Sequence, residues 1–144
     1  MSRMDDIADR VELRALVDRC AVASDARDKE RFGAVFTEDG VLTGSHGHRL
    51  EGRDAVVGVL DTFNEIYPQS MHVVGTHDIT LAGDRASATV YCLSHHVIER
   101  DGKQREALVV ARYLDQYERT EDGWLIAERF IKIEWQEERP LVVE

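Results

Sequence analysis

The second half of the chain limits the fold most tightly. Segments 70–81, 85–99, 105–119 and 123–135 are long and rich in β-branched and aromatic residues. The breaks between them contain AGD, RDGKQ and TEDG, which have hairpin length and turn chemistry. No helical pattern separates any two of them, so the βαβ alternation of a parallel doubly wound sheet is missing. Strands this long, joined this tightly, predict an antiparallel meander.

The first half is helical. Ser2 with Asp5 three residues on is an N-cap signature. Ile7, Val11, Leu13, Leu16, Val17, Cys20 and Ser24 then follow at helical spacing and predict one apolar arc. Asp28 suits the cap of a short second helix through Phe32 and Phe36, closed by a turn at EDG, residues 38–40. VLTGS and HRLEG read as two short strands. A third helix follows Gly52, carries Val56, Val57, Leu60, Phe63 and Ile66, and stops at Pro68. Helices first and a meander second give an α+β class. Long strands curling around helices make a cone that encloses a pocket. A length of 144 residues suits a single domain over 1–144, with a core at about 5–136 and no repeat or linker.

Charge narrows the partners. The formal net charge is −10, and no Lys/Arg cluster is present to displace counterions. Neither nucleic acid nor an anionic membrane surface is an expected partner. No segment approaches the roughly 20 apolar residues of a membrane helix, and MSRMDDIADR lacks the apolar run of a signal peptide. Cys20 and Cys92 read as buried, reduced thiols, so a cytoplasmic protein is expected.

Polar residues on faces that should be buried carry the functional signal. Alternation puts Leu125, Ala127, Arg129, Ile131, Ile133 and Trp135 on one face of the last strand, and Trp124, Ile126 and Phe130 on the outer one. Arg129 is then a guanidinium among apolar neighbours. It needs either a buried carboxylate partner or an anionic centre in a pocket. His96 shares a face with Cys92 and Ser94, while His95 points the other way. Tyr113 shares one with Val109, Ala111 and Tyr117. In MHVVGTHDI, strict alternation separates His72 from His77, but a bulge at Gly75 would put both on one face. Asp25, near the end of the first helix, is placed to reach across to a strand. A carboxylate on one imidazole nitrogen fixes the tautomer and leaves the other nitrogen as a base. None of the six histidines shows His-Glu-x-x-His spacing and no Cys-x-x-Cys is present, so no metal site is expected; His46 and His48, in a Gly-rich loop, should face solvent.

Four stretches together resemble the SnoaL-like branch of the nuclear transport factor 2-like superfamily. They are VASDARDKERFGAVFTEDGVL, LEGRDAVVGVL, MHVVGTHDITLAGDRASATVY and GWLIAERFIKI. The likeness in motif is nearest to its scytalone dehydratase and hexachlorocyclohexane dehydrochlorinase members. It implies a cone-shaped (cystatin-like) fold, usually dimeric, with N-terminal helices packed in a curved antiparallel sheet.

The resemblance places the family's catalytic Asp on Asp25, its His on His72 and a last-strand Arg on Arg129. His96 matches a second pocket histidine. Val22, Tyr113 and Ile131 complete the expected substrate-binding set. The chain departs from the family pattern at Cys20, where the dehydrochlorinase has Lys, at Ser24, where scytalone dehydratase has Tyr, and at His77, where many relatives have Asn. The implied activity is a cofactor-independent lyase of dehydratase type, or an isomerase, acting on a small, largely apolar molecule such as a cyclic one. The implied assembly is a homodimer or higher homo-oligomer. Two other roles fit the same fold: non-catalytic binding of a hydrophobic small molecule, and assembly, as in small subunits of ring-hydroxylating dioxygenases.

Overall fold

The computed structural model describes residues 2–45 and 47–142. Helix α1 (Arg3–Asp25) is followed by α2 (Lys29–Ala34), β1 (Phe36–Gly44), β2 (Arg49–Glu51), α3 (Arg53–Val57), α4 (Val59–Ile66) and the four long strands. These are β3 (Gln69–Ala82), β4 (Arg85–Arg100), β5 (Lys103–Thr120) and β6 (Gly123–Pro140). The strands form one open sheet in the order β2-β1-β6-β5-β4-β3, curved around the helices.

The predicted meander is present, with its strands running a few residues past the predicted ends. The β4–β5 hairpin turns at Asp101 and Gly102, both with positive φ, the backbone of a tight primed turn. The Ser2–Asp5 capping box and the Asp28 cap are formed as expected. The third helix is broken at Gly58 into α3 and α4.

Two expectations about the sheet fail. It is mixed, because β1 lies parallel to β6. Residues 38–40 are no turn: β1 runs through them, with a register shift between Phe36 and Val41. Gly40 is needed there, since a Cβ would lie 3.0 Å from the Thr37 carbonyl oxygen and 3.2 Å from the Phe36 Cβ.

Bulges decide which side chains face the core. In β6, Gln116 pairs with Glu128 and Tyr117 with Ile126, leaving Ala127 as the extra residue. Trp124 and Ile126 therefore turn inward and are buried, at 1% and 0% exposure, not outward as alternation predicts, and the extra Glu134 turns Trp135 outward, off the Arg129 face where alternation predicts it. In β3, Val74 pairs with Cys92 and His77 with Val90, so Gly75 and Thr76 together oppose Tyr91. His72 and His77 then share the inner face.

Helix α1 packs across the concave side through Leu13, Leu16, Val17, Cys20 and Ala23. Ile7 and Val11 fall outside this stripe and are exposed. Arg14 donates to the Val74 carbonyl at 3.0 Å, and Arg10 donates to Ile79 at 2.9 Å. These bonds cover part of the free edge of β3. Away from the mouth of the cone, the Trp124 indole N–H donates to Asp9 at 2.9 Å, and Arg119 pairs with Asp9 while lying over the indole ring. Among the described residues no helix is long and apolar enough to cross a membrane.

Candidate active site

Asp25 is the last residue of α1. A carboxylate at a helix C-terminus meets the negative end of the macrodipole, so it needs donors from elsewhere. Strand β3 supplies them. The His72 Nδ1 lies 2.6 Å from Asp25 Oδ1, and the His72 backbone N–H donates to Oδ2 at 2.9 Å. The Ser70 hydroxyl donates to Oδ1 at 2.9 Å. Burial alone would raise the Asp25 pKa. The bonds from His72 and Ser70 outweigh it and hold the carboxyl below its ordinary range. An anionic Asp25 can only accept, so His72 Nδ1 carries a proton, and in the neutral ring Nε2 is the nitrogen left with a lone pair.

His72 borders two adjoining lobes of one pocket. The inner lobe has a cavity volume of about 50 Å³ and is walled by residues including Val17, Phe36, Phe63, Tyr113 and Arg129. The outer lobe is about 170 Å³ and is walled by residues including Tyr67, His96, Ala111, Ile131 and Ile133. The walls are mainly apolar, with a few convergent polar groups, as in small-molecule sites.

His96 is buried, its ring stacked on Tyr67 at 4.1 Å between centroids and edge-on to His72 at 5.6 Å. Its Nδ1 is 3.3 Å from the Ala107 carbonyl oxygen, which can only accept. The Nδ1 is therefore the protonated nitrogen. Burial, and next the charge that His72 bears when protonated, push the His96 pKa down to about 4, so the His96 ring is neutral at neutral pH.

Arg129 borders the inner lobe, but its charge is already matched. Its Nε and Nη2 donate to Asp115 at 2.8 Å each, with Arg129 5% and Asp115 0% exposed. The remaining Nη1 lies 3.4 Å from the Cys20 sulfur, and the guanidinium covers the Tyr113 ring at 4.3 Å. Of the two readings of Arg129 open in the sequence, the buried ion pair is present at the cavity wall. Behind it, the Tyr117 hydroxyl donates to Asp115 at 2.7 Å, and His77 Nε2 lies 3.0 Å from that hydroxyl. The Tyr117 proton is committed to the carboxylate, so His77 donates to Tyr117. His77 thus belongs to the Asp115 chain and does not line either lobe.

Asp25, His72, His96, Tyr113, Arg129 and Ile131 all meet at this pocket or against it. Val22 does not: it is 54% exposed, on the face of α1 turned away, and Ala21 and Ser24 take the helix's place in the lining. His48 is exposed at the outer rim, and His46 lies outside the described residues. Sequence reasoning missed Asp115, although it sits on the same alternating face as Tyr113 and Tyr117 and is the only carboxylate between them. It also missed Ser70 and Arg27. Among the described residues no three His, Cys, Asp or Glu side chains converge to hold a metal ion.

The fold is thus a curved sheet filled by helices, with an Asp–His pair at an apolar pocket. Residues 5–130 match the model of the SnoaL-like domain, and the chain belongs to that family. Uncharacterized protein Rv2910c of Mycobacterium tuberculosis (strain ATCC 25618 / H37Rv) is 30% identical over 134 residues, covering 90% of this chain and 88% of that one. The structure of hexachlorocyclohexane dehydrochlorinase LinA-type3 from Novosphingobium barchaimii LL02 superposes with a TM-score of 0.89 at 15% identity, over 99% of this chain and 100% of that one. A scytalone dehydratase-like protein from Novosphingobium aromaticivorans DSM 12444 superposes at 0.83 and 16% identity, over 96% and 91%. At these identities the structural likeness is one of fold.

Proposed function

We propose that the protein is a cofactor-independent lyase of dehydratase type, or an isomerase, acting on a small, largely apolar molecule such as a cyclic one. The observation that carries this reading is a single side chain. His72 is bonded to Asp25 at 2.6 Å and also borders both lobes of the pocket. With Nδ1 held by Asp25, Nε2 removes a proton from carbon beside a leaving group. The imidazolium formed is stabilised by Asp25 and returns the proton to the departing oxygen, giving elimination, or to another carbon, giving isomerisation. No net charge on the substrate is called for, since Arg129 is matched by Asp115.

Charge that develops on a substrate oxygen needs a donor, and Tyr113 suits the role. Its hydroxyl donates to the Cys92 sulfur at 3.2 Å, a weak acceptor that a substrate oxygen can replace at small cost. The Arg129 guanidinium, paired with Asp115, lies against the Tyr113 ring and holds it in place. His96 Nε2, an acceptor, suits a substrate hydroxyl in the outer lobe.

The dehydrochlorinase and scytalone dehydratase-like names among the fold neighbours agree with proton abstraction beside a leaving group. We also infer a homodimer formed through the convex sheet face. Val73, Leu93, Val110 and Trp135 lie in register across four strands there, with Trp135 60% exposed. The test is a mass-spectrometric screen of neutral hydroxylated or halogenated cyclic compounds with the wild-type protein. Loss of water or acid, or a same-mass isomer, supports the reading. A ligand bound tightly and recovered unchanged, and held equally by Asp25→Asn and His72→Ala, moves the protein to the binding-only role.

A further inference from the structure

The residue after the α1 C-cap is Arg27, with φ of 55°. Its N–H bonds to Ser24 O at 3.1 Å, and the Asp28 N–H bonds to Ala23 O at 2.9 Å. This is the left-handed position that closes a helix, where glycine is the ordinary choice. An arginine there is strained by the approach of its Cβ to the following carbonyl oxygen, so its side chain should supply something a glycine cannot.

That side chain folds back beneath the candidate site. Nη1 donates to the Ser70 hydroxyl at 2.9 Å and to the Ser24 carbonyl at 2.7 Å. Nη2 donates to the Tyr67 carbonyl at 2.9 Å. Arg27 Nη1 fills an acceptor site on Ser70 and leaves the hydroxyl proton directed to Asp25 Oδ1. The same guanidinium pins the segment between α4 and β3, where the Tyr67 ring stacks on His96. One cation thus reaches Asp25 through Ser70 and His96 through Tyr67.

We propose that Arg27 and Ser70 are positioning residues of the Asp25–His72 pair. Ser70 fixes the carboxylate so that Oδ1 faces His72 Nδ1, and Arg27 fixes Ser70 as a donor while holding Tyr67 over the second histidine. Neither touches the substrate. The proposal rests on the Asp25–His72 base reading, and its first readout needs no substrate.

The experiment compares the wild-type protein with Ser70→Ala, Ser70→Thr and Arg27→Gly. Arg27→Gly relieves the backbone strain but also loses the bonds to Ser24 and Tyr67, and Ser70→Ala, which keeps them, separates the effect on Asp25 from any loosening of the segment. The hydrogen-bonded Nδ1 proton of His72 is followed by ¹H–¹⁵N NMR. The wild-type protein should show a downfield signal assigned to His72 Nδ1, told apart by assignment from the His95 Nδ1 that bonds to Glu106. Ser70→Ala and Arg27→Gly should broaden or lose it, and Ser70→Thr, which keeps the hydroxyl, should restore it.

On a substrate found by the screen, Ser70→Ala should lower kcat on the order of tenfold with little change in KM, the loss of one charge-assisted bond. An Nδ1 signal unchanged in both Ser70→Ala and Arg27→Gly overturns the proposal, whether or not a substrate is known. A wild-type signal with these variant effects, in a protein that turns nothing over, supports the positioning role while counting against the lyase reading.

Discussion

Asp115→Asn is the most demanding perturbation of this core. Asp115 is fully buried and accepts three hydrogen bonds, two from Arg129 and one from Tyr117. Asparagine keeps the shape and one oxygen but removes the charge. If its NH₂ takes either oxygen's place it faces the Arg129 guanidinium, which can only donate. Arg129 is then a buried cation without a counter-charge. Breaking a buried pair from one side costs about 3–5 kcal/mol. That is a large part of the roughly 5–15 kcal/mol that stabilises a typical domain.

With a urea m-value of about 2 kcal/mol/M, the unfolding midpoint should fall by about 1.5–2.5 M. The control is the double variant Asp115→Leu with Arg129→Met, which removes both charges and should recover most of the loss. Equilibrium urea unfolding followed by tryptophan fluorescence reads both, since Trp124 is buried in the same core. A midpoint for Asp115→Asn within about 0.3 M of wild type would refute the claim that Arg129 depends on Asp115.

Three further outcomes are expected. The bonds from Arg119 hold the Asp9 carboxyl below its ordinary 3.8, so its stabilisation is present above that pH and is lost as pH falls through the folded value; Asp9→Asn should flatten the acid limb of a stability–pH curve. For His96, the folded state resists protonation, so stability should rise with pH between about 4 and 6.5, and an NMR titration should find the ring neutral well below 6.5. Trp135→Glu, on the exposed apolar row of the convex face, should convert a dimer to monomer in sedimentation velocity while leaving the fold intact.

Local signals in the sequence carried far, and they stopped where bulges intervened. The four strands, their turns and the caps at Ser2 and Asp28 follow from chemistry confined to a few neighbouring residues. His96 was legible because its face of β4 is otherwise small or apolar, whereas His72 was singled out by the family resemblance, alternation having left its face open. Alternation works only between bulges. Ala127 reverses it in β6 and hides Trp124 and Ile126, and Gly75–Thr76 reverses it in β3 and turns His77 inward. The parallel pairing of β1 with β6 joins segments about 90 residues apart, and no short-range pattern encodes it. Val22 failed because the packed stripe of α1 is narrower than its apolar content, which also leaves Ile7 and Val11 outside. Arg27 carried no signal of its own, since a left-handed arginine is recognised only by its φ.

The most direct test of the central claim is kcat of the wild-type protein and of His72→Ala on a substrate found by the screen. If His72 is the base, the variant should lose on the order of 10²–10⁴-fold in kcat while its fold and unfolding midpoint stay near wild type. A well-folded His72→Ala protein that turns the substrate over within a few-fold of wild type would contradict it.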